Sequence, residues 1–279
     1  MAIPAHVGVL GGGRMGAGIA HAFLMSGATV HVVDINDDAT AAAKDRITKD
    51  IEGSIKRGAE GSAAQYLDKL SFSTDHADFA DCELIVEAVP ESFELKAEAF
   101  TSISNAAPDA VIATNTSSLS VSELADTVKN DVIGLHFFNP VPASKLVEIV
   151  VAASTPESLV DTAQEWVAGI GKAPIVVKDA PGFASSRLGV AIALEAIRMV
   201  EEGVASPKDI DDAMVLGYKF PVGPLALTDI VGLDVRLGIA EYLESTLGER
   251  FAPPQLMRDM VERGELGRKS GKGFYDYES

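Results

Sequence analysis

The sequence is poor in the residues that build disulfide scaffolds, metal centres and basic docking surfaces. Its 279 residues include a single cysteine, Cys82, so no internal disulfide can form, and no Cys/His spacing points to zinc. Cys82 opens an apolar stretch and is expected to be an inert core thiol, with a reducing cytoplasm as the matching compartment. Bases are also scarce: 23 Lys and Arg stand against 41 Asp and Glu, a formal charge of −18. That balance argues against nucleic acid and against an anionic membrane surface as partners. It would also repel an anionic substrate unless a local basic site receives it. No apolar run approaches the roughly 18 residues of a membrane span. The N-terminus carries no basic segment before its first apolar run, which reads as a strand, so no secretory signal is expected. What the chain has in quantity is apolar sequence, 47%, and length enough for two domains.

The first of those apolar strands carries the main motif. His6 to Leu10 runs into Gly11-Gly12-Gly13-Arg14-Met15-Gly16, a G-x-G-x-x-G turn opening a helix. Gly11 permits the tight turn, Gly13 lets the backbone approach a pyrophosphate, and Gly16 lets the helix lie close on its strand. The helix that opens at Arg14 and Met15 aims free N–H groups and the positive end of its dipole at that pyrophosphate. Alone the motif is weak, since other strand–helix turns match it. Its context strengthens it: Gly27 reads as a helix C-cap, strand TVHVVD follows, and Asp34 ends that strand 18 residues past Gly16. A carboxylate there takes both hydroxyls of an adenosine ribose and repels a 2′-phosphate, which favours NAD over NADP. The alternative is a structural turn beside a surface aspartate.

Further along, a long helix from Asp37 to about Arg57 carries Lys44, Arg46, Lys49, Lys56 and Arg57. Interleaved acids favour a solvated face; a landing strip for a phosphate-bearing substrate, with Lys56 and Arg57, is the functional alternative. A short helix and an edge strand, Leu70 to Thr74, precede the apolar strand Leu84 to Val89, interrupted only by Glu87. Glu91 and Lys96 then fall at the carboxyl edge of the sheet, where ligands of open α/β folds lie, although both suit ordinary exposed helix positions. The next strand ends in Thr114-Asn115-Thr116-Ser117-Ser118. Ser120 with Glu123 resembles a capping box, and Ser118 or Ser120 is expected to cap, leaving Thr116 or Ser117 free.

Strands Val132 to Phe138 and Lys145 to Val151 flank the turn Asn139-Pro140-Val141-Pro142. His136 and Glu148 each stand six residues from Pro142, so a hairpin about that corner brings them opposite. Opposed side chains of an antiparallel pair are about 5 Å apart at Cβ. A carboxylate on one ring nitrogen leaves the other to act as a general base. A satisfied core histidine is the alternative, and the upstream nucleotide motif tips the balance to catalysis. After a helix (Pro156 to about Gly169) and a strand (Ala173 to Val177), Lys178-Asp179-Ala180-Pro181-Gly182 marks a change of pattern. Residues 1–180 are expected to form an α/β domain with a doubly wound Rossmann-like sheet. Residues 181–279 are expected to be all-helical, with helices Phe183–Gly203, Asp209–Gly217, Leu225–Gly248 and Pro254–Gly264. The glycine-rich basic tail is expected to be loose unless Lys269 docks on an anion.

These residues resemble the short-chain L-3-hydroxyacyl-CoA dehydrogenases over essentially the whole chain. The resemblance runs from VGVLGGGRMGAGIA through TNTSSL, GLHFFNPVPASKLVEIV and KDAPGF to GRKSGKGFY, of which HFFNPVP followed by KLVE is the most specific. It implies a Rossmann-like domain, a helical domain that commonly dimerises, an active site between them, NAD as cofactor and an acyl-CoA substrate such as 3-hydroxybutyryl-CoA. It makes His136 the base, Glu148 its partner, and Ser117 the residue that hydrogen-bonds the substrate oxygen. Asn139 falls beside the nicotinamide and substrate, and Asp34, Glu91, Lys96 and Lys269 match NAD contacts. Two positions depart from the pattern around CoA: Asp50 replaces a serine, and Arg57 replaces a lysine with its charge kept. Ser186 stands where the family has a substrate-side asparagine. Outside the resemblance, two other functions fit the residues: a dehydrogenase of a free hydroxy acid or sugar acid, and a non-catalytic dinucleotide sensor.

Overall fold

The structure is a computed structural model describing residues 3–277; the first two and last two residues of the expected domain spans lie outside it. It divides into two compact units, residues 1–179 and 180–279. In the first, eight strands form one sheet: β1 (His6–Leu10), β2 (Thr29–Val33), β3 (Leu70–Ser73), β4 (Leu84–Glu87), β5 (Val111–Thr114), β6 (Val132–Phe137), β7 (Leu146–Val151) and β8 (Ala173–Lys178). Their order is β3-β2-β1-β4-β5-β6-β7-β8, parallel up to β6. The hairpin turns β7 antiparallel to β6, and β8 runs parallel to β7. The chain winds outward from β1 through β2 and β3, then crosses back to β4. That leaves a crevice at the carboxyl ends of β1 and β4, where such sheets take their ligands.

Helices α1 (Arg14–Met25), α2 (Asp37–Lys56), α3 (Ala63–Leu67), α4 (Phe93–Ala106), α5 (Val121–Ala125) and α6 (Glu157–Gly169) join the strands. β4 and β6 are buried along their whole length, as their near-continuous apolar sequences require. On α2, Ala43, Ile47 and Ile51 make one buried stripe at helical spacing, and the basic residues fall on the remaining faces. β4 stops two residues before the expected Val89, because Glu87 Oε1 accepts the Val89 N–H at 2.7 Å. Half of the expected capping box at Ser120 forms: Ser120 Oγ accepts from Glu123 N, and its O–H donates to Asp179 Oδ2 at 2.8 Å. Cys82 is half-buried rather than in the core; burial and the neighbouring Asp81 and Glu83 push its thiol up to about 11, which leaves it inert at neutral pH.

The second unit is helical: α7 (Ser185–Glu201), α8 (Pro207–Asp212) continued by a π-helical turn (Ala213–Gly217), α9 (Pro224–Val231), α10 (Leu233–Leu247) and α11 (Gln255–Glu262). Val190, Leu194, Ile197, Leu225, Leu243 and Met257 lie in its core. The single helix expected over 225–248 is two, broken at Gly232 with φ +105, a backbone state that side chains resist. The tail is held. Asp229, fully buried, accepts from Phe274 N and Tyr275 N at 3.0 Å and from the Tyr277 hydroxyl at 2.9 Å. A Cβ on Gly273 would lie 2.1 Å from Asp229 Oδ1, so glycine is what lets the tail close on that carboxylate.

Candidate active site

The glycine turn after β1 has the shape a pyrophosphate needs. Gly11 adopts φ +93, and a Cβ on Gly16 would fall 1.8 Å from Gly11 O. A Cβ on Gly13 would meet nothing within 4 Å, and Gly13 caps α1 without a side-chain hydrogen bond. No side chain caps the first N–H groups of α1, at Arg14 and Met15, as an anion-binding helix start requires. Asp34 is anchored by Gly12 N on Oδ2 and Ile35 N on Oδ1, each at 2.7 Å, which leaves further lone pairs for ribose hydroxyls. Gly12, which the three-glycine motif leaves unassigned, is equally constrained: its Cβ would lie 2.3 Å from that of Ala43.

At the ends of β4 and β5 a polar network occupies the crevice. Lys96 is almost fully buried. Its ammonium donates to Glu87 Oε1 at 2.7 Å and Val89 O at 3.2 Å, and lies 3.5 Å from Glu91 Oε2. Glu87, fully buried, also accepts from Thr114 Oγ1 at 2.7 Å. Burial pushes the Glu87 carboxyl up, against the pull of Lys96 and Thr114. Glu91 goes the other way: burial raises it, but Lys96 with the donors of Thr116 and Ser117 outweighs burial and holds it below the ordinary carboxylate range. Its Oε1 accepts from Thr116 Oγ1 (2.7 Å), Ser117 N (2.8 Å), Ser117 Oγ (3.1 Å), Ser118 N (3.2 Å) and Ser118 Oγ (3.3 Å). The expectation that Thr116 or Ser117 stays free is thus corrected, since both hydroxyls reach Glu91. Glu87 had one legible signal, a lone charge inside an apolar strand.

The hairpin register pairs His136 with Glu148, and His136 Nδ1 lies 2.7 Å from Glu148 Oε2. Both residues are buried. The turn that follows β6 is clamped from behind. Lys172 Nζ donates to Val141 O and Ser144 O, each at 2.6 Å, and burial lowers its pKa. Gly18 of α1 lies under the same turn, where a Cβ would meet Val141 Cβ at 2.7 Å. Close approach at Gly18 brings the exposed Asn139 and the dyad's hairpin beside the helix that opens the nucleotide loop. Neither Gly18 nor Lys172 is marked by any motif.

Between that turn and α2 lies an open groove of about 570 Å³, lined by Arg14, Asp50, Arg57, Asn139 and the Pro140–Ala143 turn. A smaller one of about 270 Å³ includes Lys49, Lys56 and Arg57. Arg57 Nη2 donates to Ser54 Oγ at 3.2 Å, and buried His21 Nε2 meets the same hydroxyl at 2.9 Å. The basic end of α2 therefore fronts concave surface. In the second unit, Ser186 stands in the first turn of α7, and Lys269 Nζ donates to Asp234 Oδ2 at 2.6 Å.

Residues 6–180 match the NAD binding domain of 3-hydroxyacyl-CoA dehydrogenase, and residues 182–277 match that family's C-terminal domain. A 3-hydroxybutyryl-CoA dehydrogenase of Mycobacterium tuberculosis is 40% identical over 279 residues, covering 97% of this chain and 98% of its own length. The mitochondrial hydroxyacyl-coenzyme A dehydrogenase of Rattus norvegicus is 41% identical over 289 residues, covering 98% and 91%. The crystal structure of (S)-3-hydroxybutyryl-CoA dehydrogenase from Ralstonia eutropha superposes with a TM-score of 0.93 at 36% identity, covering 99% of this chain and all of that one. With the nucleotide cradle, the buried His–Glu pair and both halves of the chain matched, the protein belongs to the 3-hydroxyacyl-CoA dehydrogenase family and is an NAD-dependent oxidoreductase.

Proposed function

We propose that the protein interconverts an L-3-hydroxyacyl-CoA, 3-hydroxybutyryl-CoA among them, and its 3-ketoacyl-CoA, with His136 and Glu148 as the proton-handling pair. The observation that carries this is the 2.7 Å contact between His136 Nδ1 and a fully buried Glu148. With Nδ1–H donated to Glu148, Nε2 accepts the 3-hydroxyl proton, and the carboxylate stabilises the imidazolium that results. The Gly11–Gly16 turn and Asp34 would hold NAD, which would supply the hydride acceptor for C3. In the reverse direction Nε2 returns the proton to the ketone oxygen. Ser117 orients that oxygen. Its hydroxyl can turn from Glu91 to the substrate while Thr116 Oγ1 and Ser117 N still hold Glu91 at 2.7 and 2.8 Å. Lys56 and Arg57 receive CoA phosphates in an otherwise acidic protein, so neutralising both raises KM for acetoacetyl-CoA without affecting any reaction of free acetoacetate. The exposed apolar residues Leu188, Leu216, Tyr218 and Val235 of the helical unit favour a homodimer, which sedimentation would test.

The deciding experiment is His136→Ala with acetoacetyl-CoA and NADH. Turnover is expected to fall about 10²–10⁴-fold, while NADH affinity, read by fluorescence titration, stays unchanged. Glu148→Gln is expected to lower turnover and to displace the pH–rate profile of the base. Near-normal turnover in His136→Ala would remove the assignment.

A further inference from the structure

Lys172, between α6 and β8, is a buried base in a protein that carries 41 acids to 23 bases. Among the described residues it enters no ion pair, and burial lowers its pKa with no charge to oppose it. A buried ammonium in that state is unfavourable unless its donors are well used. Both of its hydrogen bonds go to one turn, to Val141 O and Ser144 O at 2.6 Å. That turn is short of ties of its own. Pro140 and Pro142 have no N–H to donate, and the backbone bonds inside the turn run from Ala143 N and Ser144 N to the single acceptor Pro140 O, at 3.1 and 3.0 Å. The turn is therefore held through its remaining carbonyls, which need a donor from outside. On its other side the buried Val141 lies against α1, where a Cβ on Gly18 would meet Val141 Cβ at 2.7 Å. Gly18 and Lys172 pin the turn between them.

The pinned turn lines the groove of about 570 Å³ together with Arg14, Asp50 and Arg57, and its Asn139, Pro140 and Ala143 are exposed. We infer that Lys172 is a positioning residue for the substrate: it fixes the 139–144 turn as a wall of this groove and so sets the affinity for CoA and its esters, while proton transfer stays with the hairpin. This rests on the reading above that the groove receives CoA. The division of labour follows from where the clamp acts. His136 and Glu148 are registered by ladder pairs from Gly134 with Val150 to Phe137 with Val147, all ahead of the turn. Loss of the clamp releases the wall and leaves that register in place.

The test is calorimetric binding of free CoA, with steady-state reduction of acetoacetyl-CoA by NADH, in Lys172→Met, which keeps the stem and loses the donors. CoA affinity is expected to fall about 10-fold and KM for acetoacetyl-CoA to rise by a similar factor, with turnover at saturation and NADH affinity close to wild type. Lys172→Arg, which restores donors, is expected to recover part of the loss. Gly18→Ala displaces the same turn from its other side with Lys172 in place, and is expected to weaken CoA binding in the same way. The double variant should lose less than the two single losses combined, because both act through one turn. If the methionine variant does not fold, Lys172→Gln, whose shorter amide reaches less far, carries the same expectation. CoA affinity unchanged in the lysine variants, or turnover and NADH affinity falling in parallel with it, would overturn the inference. A wild-type protein that binds no CoA removes the groove reading and the inference with it. A wild-type protein that binds CoA but oxidises no NADH with acetoacetyl-CoA removes the dehydrogenase reading alone, and the CoA titrations still decide the role of Lys172.

Discussion

Replacing Lys96 by methionine strands a carboxylate in the sheet. Glu87 is fully buried, and in Lys96→Met it keeps only the neutral donors Thr114 Oγ1 and Val89 N. Breaking a buried pair from one side typically costs about 3–5 kcal/mol, but Glu87 has an escape, since it can take a proton. Holding that proton at about pH 7 against an ordinary carboxyl value of 4.5 costs about 3.4 kcal/mol, at about 1.36 kcal/mol per pH unit. At about pH 5 the same step costs only about 0.7 kcal/mol. The variant's folded state then binds a proton that its unfolded state releases above pH 4.5, so its stability declines as pH rises. Urea unfolding at the two pH values measures the difference. The wild-type protein should show a smaller decline from this pair, because Lys96 opposes the burial that raises the Glu87 carboxyl. Lys96→Met/Glu87→Gln should recover most of the loss at about pH 7. A loss in Lys96→Met that is equal at both pH values, or a double variant no more stable than the single, would refute the claim that Lys96 is the counter-ion of Glu87.

Other perturbations have equally defined outcomes. Gly16→Ala puts a methyl 1.8 Å from Gly11 O, so NADH binding measured by fluorescence should be abolished or the variant should fail to fold. Asp34→Ser removes the carboxylate expected on the ribose, and NADH affinity should fall about 10–10²-fold while the gap to NADPH narrows. Burial lowers the pKa of His21 below the ordinary 6.5, so the unfolded chain binds a proton more readily and stability falls as pH drops below that value; His21→Gln should flatten this acid limb in thermal unfolding between about pH 7 and pH 5.

Much of the nucleotide half was legible because its signals are local. Continuous apolar runs mark strands covered on both faces, and a glycine every few residues marks a turn that admits no side chain. The dyad was legible for the same reason: equal spacing of His136 and Glu148 about Pro142 sets their register once a hairpin is assumed. Periodicity carried less in the helical half. The apolar pattern runs through Gly232 without a gap, and only its φ of +105 separates α9 from α10.

Sequence alone determined most strands and helices of the nucleotide half, the glycine cradle, and the pairing of the two hairpin residues. Each depends on neighbours along the chain or across one turn. Tertiary structure decided which partner every buried polar group takes. Lys96 meets Glu87, Glu91 gathers residues 116–118, Lys172 clamps a turn some 30 residues back, and Asp229 seizes the tail. Periodicity reports only that a face is covered; a hydrogen bond or an ion pair needs a particular atom within about 3 Å. Those atoms are supplied by elements far apart in the chain.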